Sequence, residues 1–465
     1  MGNTNSVKAP SEEAKGDTQS AKAFAIGRTE RLIRHREHSR SRIEEDDKAP
    51  LSSRTERQSR TLSKEEKIER RRQKKLMQQS IKDRQSDKAK EASPDLDVTG
   101  RLMASEVTNR RETCTEVKTT TIKGGKITIE YAHSTQRGYY PDDPHKPNQD
   151  SLSVTHNLSA VADDSLFAIF DGHGPVGEHF ATYAQKNLSS LMAKYIQQER
   201  VKAHKLRNSK LPKDEQLPFN PKLFPMISAK SYQEASKNAH IELNGLMIDT
   251  QPLVNLSGTT AISAGFHDGQ MIVSNVGDSR AILGYYDSEE KKTIAVPLSQ
   301  DQTPWRKDER ERIERSGGRV LTVDQLEGKT KVTESDKTQD KKLGVDDFID
   351  IAGDPPRVWK ADDNLPGTSF TRSLGDSIAE ECGVFAEPEF FSKRISEEDK
   401  ILVLASDGVF EFMTNQEIID MCKNSENAVI ACDEIVHKAY NSWLEHENRT
   451  DDITIIVMYF RHNEN

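Results

Sequence analysis

The stretch Leu166-Phe167-Ala168-Ile169-Phe170-Asp171-Gly172-His173-Gly174 is a short apolar run that stops on an acid set among glycines. A continuous run of this length, bounded by turn residues, predicts a buried β-strand. The same grammar recurs along the chain. Val273-Ser274-Asn275-Val276 leads into Gly277-Asp278-Ser279-Arg280, and Val403-Leu404-Ala405-Ser406 leads into Asp407-Gly408. Asn148-Gln149-Asp150 precedes Ser151-Leu152-Ser153-Val154, and Asp451-Asp452 opens a last strand at 453–460. Taken singly, each Asp-Gly is an ordinary turn. Taken together, carboxylates at several strand ends can converge on one rim of a sheet, where they repel one another unless a cation resolves the conflict. Oxygen ligands with no Cys or His cluster suit magnesium or manganese. A glycine after the acid lets the backbone come close enough for a carbonyl to join the ligands.

Outward from these strand ends, Thr119–Ile122 and Ile127–Tyr131 flank Lys123-Gly124-Gly125-Lys126 as a hairpin. Thr259–Phe266 and Met271–Asn275 do the same around His267-Asp268-Gly269. Gly177–Glu199 has helical spacing, with Phe180, Ala184, Leu188, Leu191 and Tyr195 on one face. Ser231–Met247, Asp308–Ser316 and Ala428–His446 read as further helices. Lys202–Lys222 and Lys329–Lys342 are charged and read as surface insertions, the second a mobile one. Strands cluster with strands more than they alternate with helices. That predicts an α+β fold of packed sheets with flanking helices rather than a doubly wound parallel sheet.

The chain has 465 residues, of which 34% are hydrophobic, a low share that predicts a sizeable unfolded part. Its charge is uneven. Residues 1–110 hold 26 Lys/Arg against 19 Asp/Glu, whereas the remainder holds 41 against 57, so a basic arm precedes an acidic body. The arm has one aromatic residue, Phe24, and cannot bury enough apolar surface to offset chain entropy. It reads as disordered over 1–110, with a transient helix near Ser63–Lys90. The folded domain is expected over 120–462. Cys114, Cys382, Cys422 and Cys432 lack metal-type spacing, which argues against a zinc module or a disulfide scaffold. No apolar run reaches the roughly 18–20 residues that span a bilayer, and the N-terminus is polar from its third residue. A soluble intracellular protein is predicted.

Six motifs, FDGHG at 170–174, SGTTA at 257–261, NVGDSRA at 275–281, PGTSFTRSLGD at 366–376, ASDGVFEF at 405–412 and RTDDIT at 449–454, stand in an order that resembles the metal-dependent protein phosphatase family, type 2C. The resemblance covers roughly 125–462. It implies two antiparallel β-sheets packed as a sandwich with helices outside, a four-layer α-β-β-α arrangement. It also implies hydrolysis of phosphoserine and phosphothreonine by direct attack of a hydroxide bridging two Mg2+ or Mn2+ ions. By the family's pattern Asp171 bridges the metals, and the Gly172 carbonyl completes one shell. Asp407 and Asp452 match acids on the other metal, and Asp150 the acid that holds metal-bound waters. Asp278, Asp407 and Glu411 match a weaker third position. His173 matches the residue that protonates the leaving oxygen.

Several residues depart from that pattern. His145 stands where the family often has the Arg that grips phosphate, which leaves Lys146 or Arg137 for phosphate binding. Lys is a usable point charge but not a bidentate fork. Gln149 replaces an acid beside Asp150, Glu411 stands where many relatives have Asp, and Gln302 stands where His is frequent. A catalytically silent scaffold that binds phosphoproteins is the rival reading, supported by His145 and Gln149 and opposed by the retained acids.

Two other motifs read as decoys. Asp95-Leu96-Asp97-Val98-Thr99 fits the DxDxT signature of aspartyl-phosphate enzymes but lacks a buried strand before it. Gly172–Gly177 fits GxGxxG, yet Asp171 would repel a pyrophosphate. The N-terminus is more informative. Met1-Gly2-Asn3-Thr4-Asn5-Ser6 fits the N-myristoylation pattern at Gly2. One myristoyl chain binds membrane only marginally, so the basic run Arg70-Arg71-Arg72-Gln73-Lys74-Lys75 would supply the second contact, to anionic lipid. The expectation is a monomer in the cytoplasm with reversible membrane contact. The same run also reads as a nuclear address, and no nucleic-acid partner is expected.

Overall fold

The computed structural model describes residues 94–97, 101–122, 126–160, 164–220, 226–250, 255–344 and 353–463. Gly2, the basic run and the candidate helix at Ser63–Lys90 lie outside the described residues. In chain order the strands are β1 (Arg111–Thr113), β2 (Lys118–Ile122), β3 (Ile127–Gln136), β4 (Asp150–His156) and β5 (Ser165–His173). Next come β6 (Gly258–Thr259), β7 (Ala261–His267), β8 (Gln270–Val276), β9 (Arg280–Asp287) and β10 (Lys292–Pro297). The last are β11 (Gly318–Leu321), β12 (Arg357–Lys360), β13 (Pro366–Thr368), β14 (Leu374–Gly375), β15 (Glu389–Arg394), β16 (Asp399–Ala405) and β17 (Ile453–His462). Five longer helices are α1 (Gly177–Asn208), α2 (Ala229–Thr250), α3 (Lys307–Arg315), α4 (Asn415–Asn424) and α5 (Ala428–His446).

Among the described residues, two seven-stranded antiparallel sheets form. One runs β1-β3-β17-β16-β9-β10 with β2 also on β3, and the other runs β14-β6-β5-β7-β8-β15 with β4 on β5. Between them lies a core of Ile129, Phe167, Ile169, Phe266, Leu404 and Ile456. Strand alternation turns the opposite faces outward. The outer face of the first sheet packs on α4 and α5 through Ile418, Ile435 and Trp443. That of the second packs on α1 and α2 through Phe180, Leu188 and Tyr232. The four-layer sandwich expected from the sequence is the fold observed. A small sheet, β11-β12-β13, is appended.

Register gathers the acidic strand ends. Asp150 is the cross-strand partner of Asp171. Ala405 lies opposite both Arg280 and Ile455, so Asp407, Asp278 and the Asp451-Asp452 pair come to one end of the sandwich.

Three expectations change. Residues 202–208 continue α1 rather than starting a loop. The buried stripe runs Phe180-Ala184-Leu188-Met192-Ile196-Arg200-His204, and its last two members are polar in sequence but buried in fact. Arg200 is held by the Ser159 carbonyl and by Asp164, at 3.0 and 3.4 Å. Leu191 and Tyr195 only flank that stripe. The 329–342 insertion has secondary structure and tertiary contacts: it carries a capped helix at Glu334–Thr338, Arg310 donates to the carbonyls of Lys337 and Gln339, and the Lys341 ammonium lies 4.1 Å from the Trp305 ring centroid. Finally, the domain border at 110 falls inside folded structure. Leu102 is buried, and Arg110 donates to the Gly138 and Pro144 carbonyls. Asp97 accepts from the Arg101 amide in a local turn, and Leu96 bridges to Leu102; all but Pro94 of the residues before the DxDxT match lie outside the described residues. No helix among the described residues is long and apolar enough to cross a membrane.

Candidate active site

The rim where β4, β5, β8, β16 and β17 begin or end holds six aspartates. Asp150 is buried, with one oxygen accepting from the Ser406 hydroxyl at 2.8 Å. Its other oxygen, Oδ1, is buried without a partner. Its carboxyl is pushed up to about 7, by burial and then by Asp452. Asp171 and Asp407 are both held well above the usual carboxylate range. For Asp171 the causes are burial, then Asp407 and Asp150; for Asp407 they are burial, then Asp278 and Asp451. Asp278 is pushed up to about 6 by burial and Asp301. Clustered carboxylates that raise one another, with an unsatisfied oxygen among them, are a donor set built for hard cations. Asp278 and Glu411 both act on Asp407, so the expected third-position residues are brought together.

Gly172 is dictated by packing. A Cβ there would lie 2.4 Å from the Gly177 carbonyl oxygen and 2.5 Å from that of Gln149. Gly172 and Gly177 of the GxGxxG match therefore serve close contact between the end of β5 and the start of α1, whereas Gly174, at φ 83°, packs against Leu256 and Ser257. His173 Nε2 lies 2.6 Å from Asp376 Oδ2, and its ring packs 4.3 Å from that of Phe370. Asp376 is buried and sits at φ 46°, a left-handed conformation that aspartate tolerates better than most residues. Sequence reading missed its contact with His173, although it is the last residue of the motif at 366–376.

Residues 143–447 match the family model described as protein phosphatase 2C. The chain belongs to the protein phosphatase 2C family. It is 36% identical over 331 residues to "Probable protein phosphatase 2C 35" of Arabidopsis thaliana, covering 71% of this chain and 84% of that protein. It is 27% identical over 318 residues to "Probable protein phosphatase 2C 65" of the same plant, covering 68% and 73%. Among solved structures, a serine-threonine phosphatase 2C from Toxoplasma gondii aligns with a TM-score of 0.53 at 16% identity, covering 76% of this chain and 99% of that one. That likeness is one of fold. The chain is a metal-dependent protein serine/threonine phosphatase, and phosphoproteins are its substrates.

Within this phosphatase 2C site the two adjacent acids divide their work. Asp451, not Asp452, acts on both Asp171 and Asp407. Despite desolvation it is held below the usual range by Lys146, Arg449 and the Tyr140 hydroxyl. Asp452 spends its two oxygens on the amides of Gly138 and Gln149, at 2.7 and 2.9 Å. The sequence reading chose Asp452. The structure places Asp451 toward the acid pair and Asp452 as the brace behind it.

The departures find physical reasons. Gln149 donates its amide to the Gly174 carbonyl and to Glu178; an acid there would meet Glu178 with like charge. Gln302 accepts from the Gly277 amide at 2.6 Å and donates to the Asn275 carbonyl at 3.0 Å. Its own carbonyl accepts from Thr371. It thereby ties the turn before Asp278 to the segment that carries Asp376. Lys146 stands 3.9 Å from Asp452 and 3.9 Å from the Tyr140 ring centroid. Arg137 donates to the carbonyls of Lys146 and Pro144 and braces that loop from behind.

A second acidic group, Asp308, Glu309 and Glu389, has ligand atoms within 4.8 Å of one another. Arg306 pairs with Asp308 and Glu389, and Arg372 with Glu309 and Glu389. Guanidinium groups satisfy these acids, and the trio is an ion-pair network.

Proposed function

We propose that the rim holds two divalent cations, magnesium or manganese, and hydrolyses phosphoserine and phosphothreonine in proteins. The unpartnered, buried Oδ1 of Asp150 among mutually repelling carboxylates carries this reading. Asp171, the Gly172 carbonyl, Asp407, Asp451 and Asp150 would hold them. Asp278, Asp407 and Glu411 would form a weaker third position, with Asp452 bracing from behind. When bound, such ions lower the pKa of water and neutralise phosphate charge.

The chain's own residues supply the rest. Lys146 offers the phosphate a cation fixed in place by the Tyr140 ring. Asp376, 2.6 Å from His173 Nε2, orients the ring and leaves Nδ1 as the nitrogen to serve the leaving seryl or threonyl oxygen. The test is hydrolysis of a phosphothreonine peptide with manganese, with excess chelator as control. Turnover with manganese and none with chelator is expected. Turnover that persists in chelator removes the metals from the account, and no turnover in either favours the silent scaffold.

We also infer that the chain is a monomer that works in the cytoplasm in reversible contact with membrane, through a myristoyl group on Gly2 and the basic arm; the nucleus is the alternative address of the same basic residues. A Gly2→Ala variant should lose binding to vesicles containing phosphatidylserine. Equal binding by both forms would remove the lipid from the account.

A further inference from the structure

We propose that a cleft beside Asp150 receives the substrate's own polypeptide, the residues that flank the phosphorylated serine or threonine. The proposal rests on the phosphatase reading and names where that substrate's chain runs. The inward face of β3 changes character along its length. Ile127, Ile129 and Tyr131 are buried in the core between the sheets, whereas His133 and Thr135, two and four residues on, carry the same face toward the rim as polar groups. Opposite stand Asp150, Ser151 and Leu152 of β4, and the outer wall is β1 with the residues up to Lys118. Together they enclose about 890 Å3, within the ~300–1,000 Å3 of ordinary ligand sites. A phosphate group alone would leave most of that space unfilled.

Two buried polar atoms on these walls lack partners, Asp150 Oδ1 and His133 Nδ1. The first belongs to the cation site. The second does not, and a buried ring nitrogen without a partner leaves an unmet hydrogen-bonding demand within the cleft wall. Arg110 and Arg137 are frame rather than bait, because their donors go to backbone carbonyls and, for Arg110 Nε, to Glu106. The charges left over are Glu112, Glu116 and Lys118, all exposed and in no ion pair with a described residue. Mixed signs do not match a polyanion or an anionic lipid surface. They match a peptide, whose backbone offers donors and acceptors in turn. Gln185 donates to the Leu152 carbonyl on the open edge of β4 at 2.7 Å, so the guest is held by side chains rather than as an added strand.

The experiment compares Thr115→Trp, which narrows the cleft from an exposed wall position, and Lys118→Glu with the parent chain. Each is assayed with manganese on a phosphothreonine peptide of extended length and on para-nitrophenyl phosphate, which has no flanking chain. The expected result is a rise of about tenfold in KM for the peptide, with kcat and all constants for the small ester unchanged. An unaltered peptide KM in both variants overturns the proposal. So does a parallel loss on both substrates, because the effect would then lie at the cations. A parent that hydrolyses neither substrate strikes the phosphatase reading itself.

Discussion

Asp171→Asn should lower kcat by about 10³-fold or more, a loss of roughly 4 kcal/mol of transition-state stabilisation, while the fold survives. Asp171 is the acid whose carboxyl is raised by burial, Asp407, Asp150 and Asp451 together. It is therefore the point on which the cluster converges. Replacing its charge with a neutral amide removes repulsion from the metal-free protein, so the metal-free Tm should stay level or rise. The metal-bound protein should behave in the opposite way. A ligand that binds only the folded state stabilises it by about 2.7 kcal/mol at a hundredfold excess over Kd, and the variant should lose most of that manganese-dependent rise. Calorimetry with and without manganese, beside peptide hydrolysis, reads both effects. An Asp171→Asn variant that still turns over with manganese would sink the assignment, and a collapse of the metal-free Tm would make Asp171 structural instead.

The sheets were legible because their strands advertise themselves. Apolar runs such as 166–170 end on Asp-Gly, the two hairpins carry turn residues, and α5 was read to the residue at both ends. What failed was the reading of polarity as exposure. Arg200 and His204 continue a buried stripe, but nothing local says that Asp164, thirty-six residues earlier, waits inside to pair with Arg200. Charge likewise disguised the 329–342 insertion, whose contacts with Arg310 and Trp305 are tertiary.

At the site, residue types were legible and directions were not. The sequence named Asp150, Asp171, Asp278 and Asp407 because each stands at one end of an apolar strand. It chose Asp452 over Asp451, and the two adjacent acids stand alike in sequence just before Ile453, the first residue of β17. Only the folded backbone reveals that the amides of Gly138 and Gln149 claim Asp452. Asp376 escaped because its effect on His173 depends on a left-handed backbone and a contact across 203 positions. Gln302, opaque as a substitution, becomes intelligible once the Gly277 turn is seen folded against it.

Glu309→Ala should cost about 3–5 kcal/mol, the range for breaking a buried ion pair from one side. At roughly 2.1 cal/mol/K of unfolding entropy per residue, a domain of this size would lose about 5 °C in Tm. Glu309 is 2% exposed. It accepts from Arg372 at 2.7 Å, from Arg312 and from the Thr371 hydroxyl. Truncation would leave these donors partly unpaired inside the protein, with Glu389 still on Arg372. The damage should reach catalysis, because Thr371 and Arg372 open the segment that ends at Asp376 and so aims His173. Asp308→Asn is the control: its side chain is 64% exposed, and a change below about 0.5 kcal/mol is expected. The pH dependence has a fixed sign. Glu309 and Glu389 are held below the ordinary glutamate range, against burial, by hydrogen bonds from Arg372 and Arg306 respectively. Their contribution is full above the unfolded value, about 4.3, and is lost as pH falls through the lower folded values. Melting curves of parent and Glu309→Ala should therefore stand apart at neutral pH and converge in acid. Curves that coincide at neutral pH would show that the guanidinium groups find other partners, and that the network does not hold the segment behind His173.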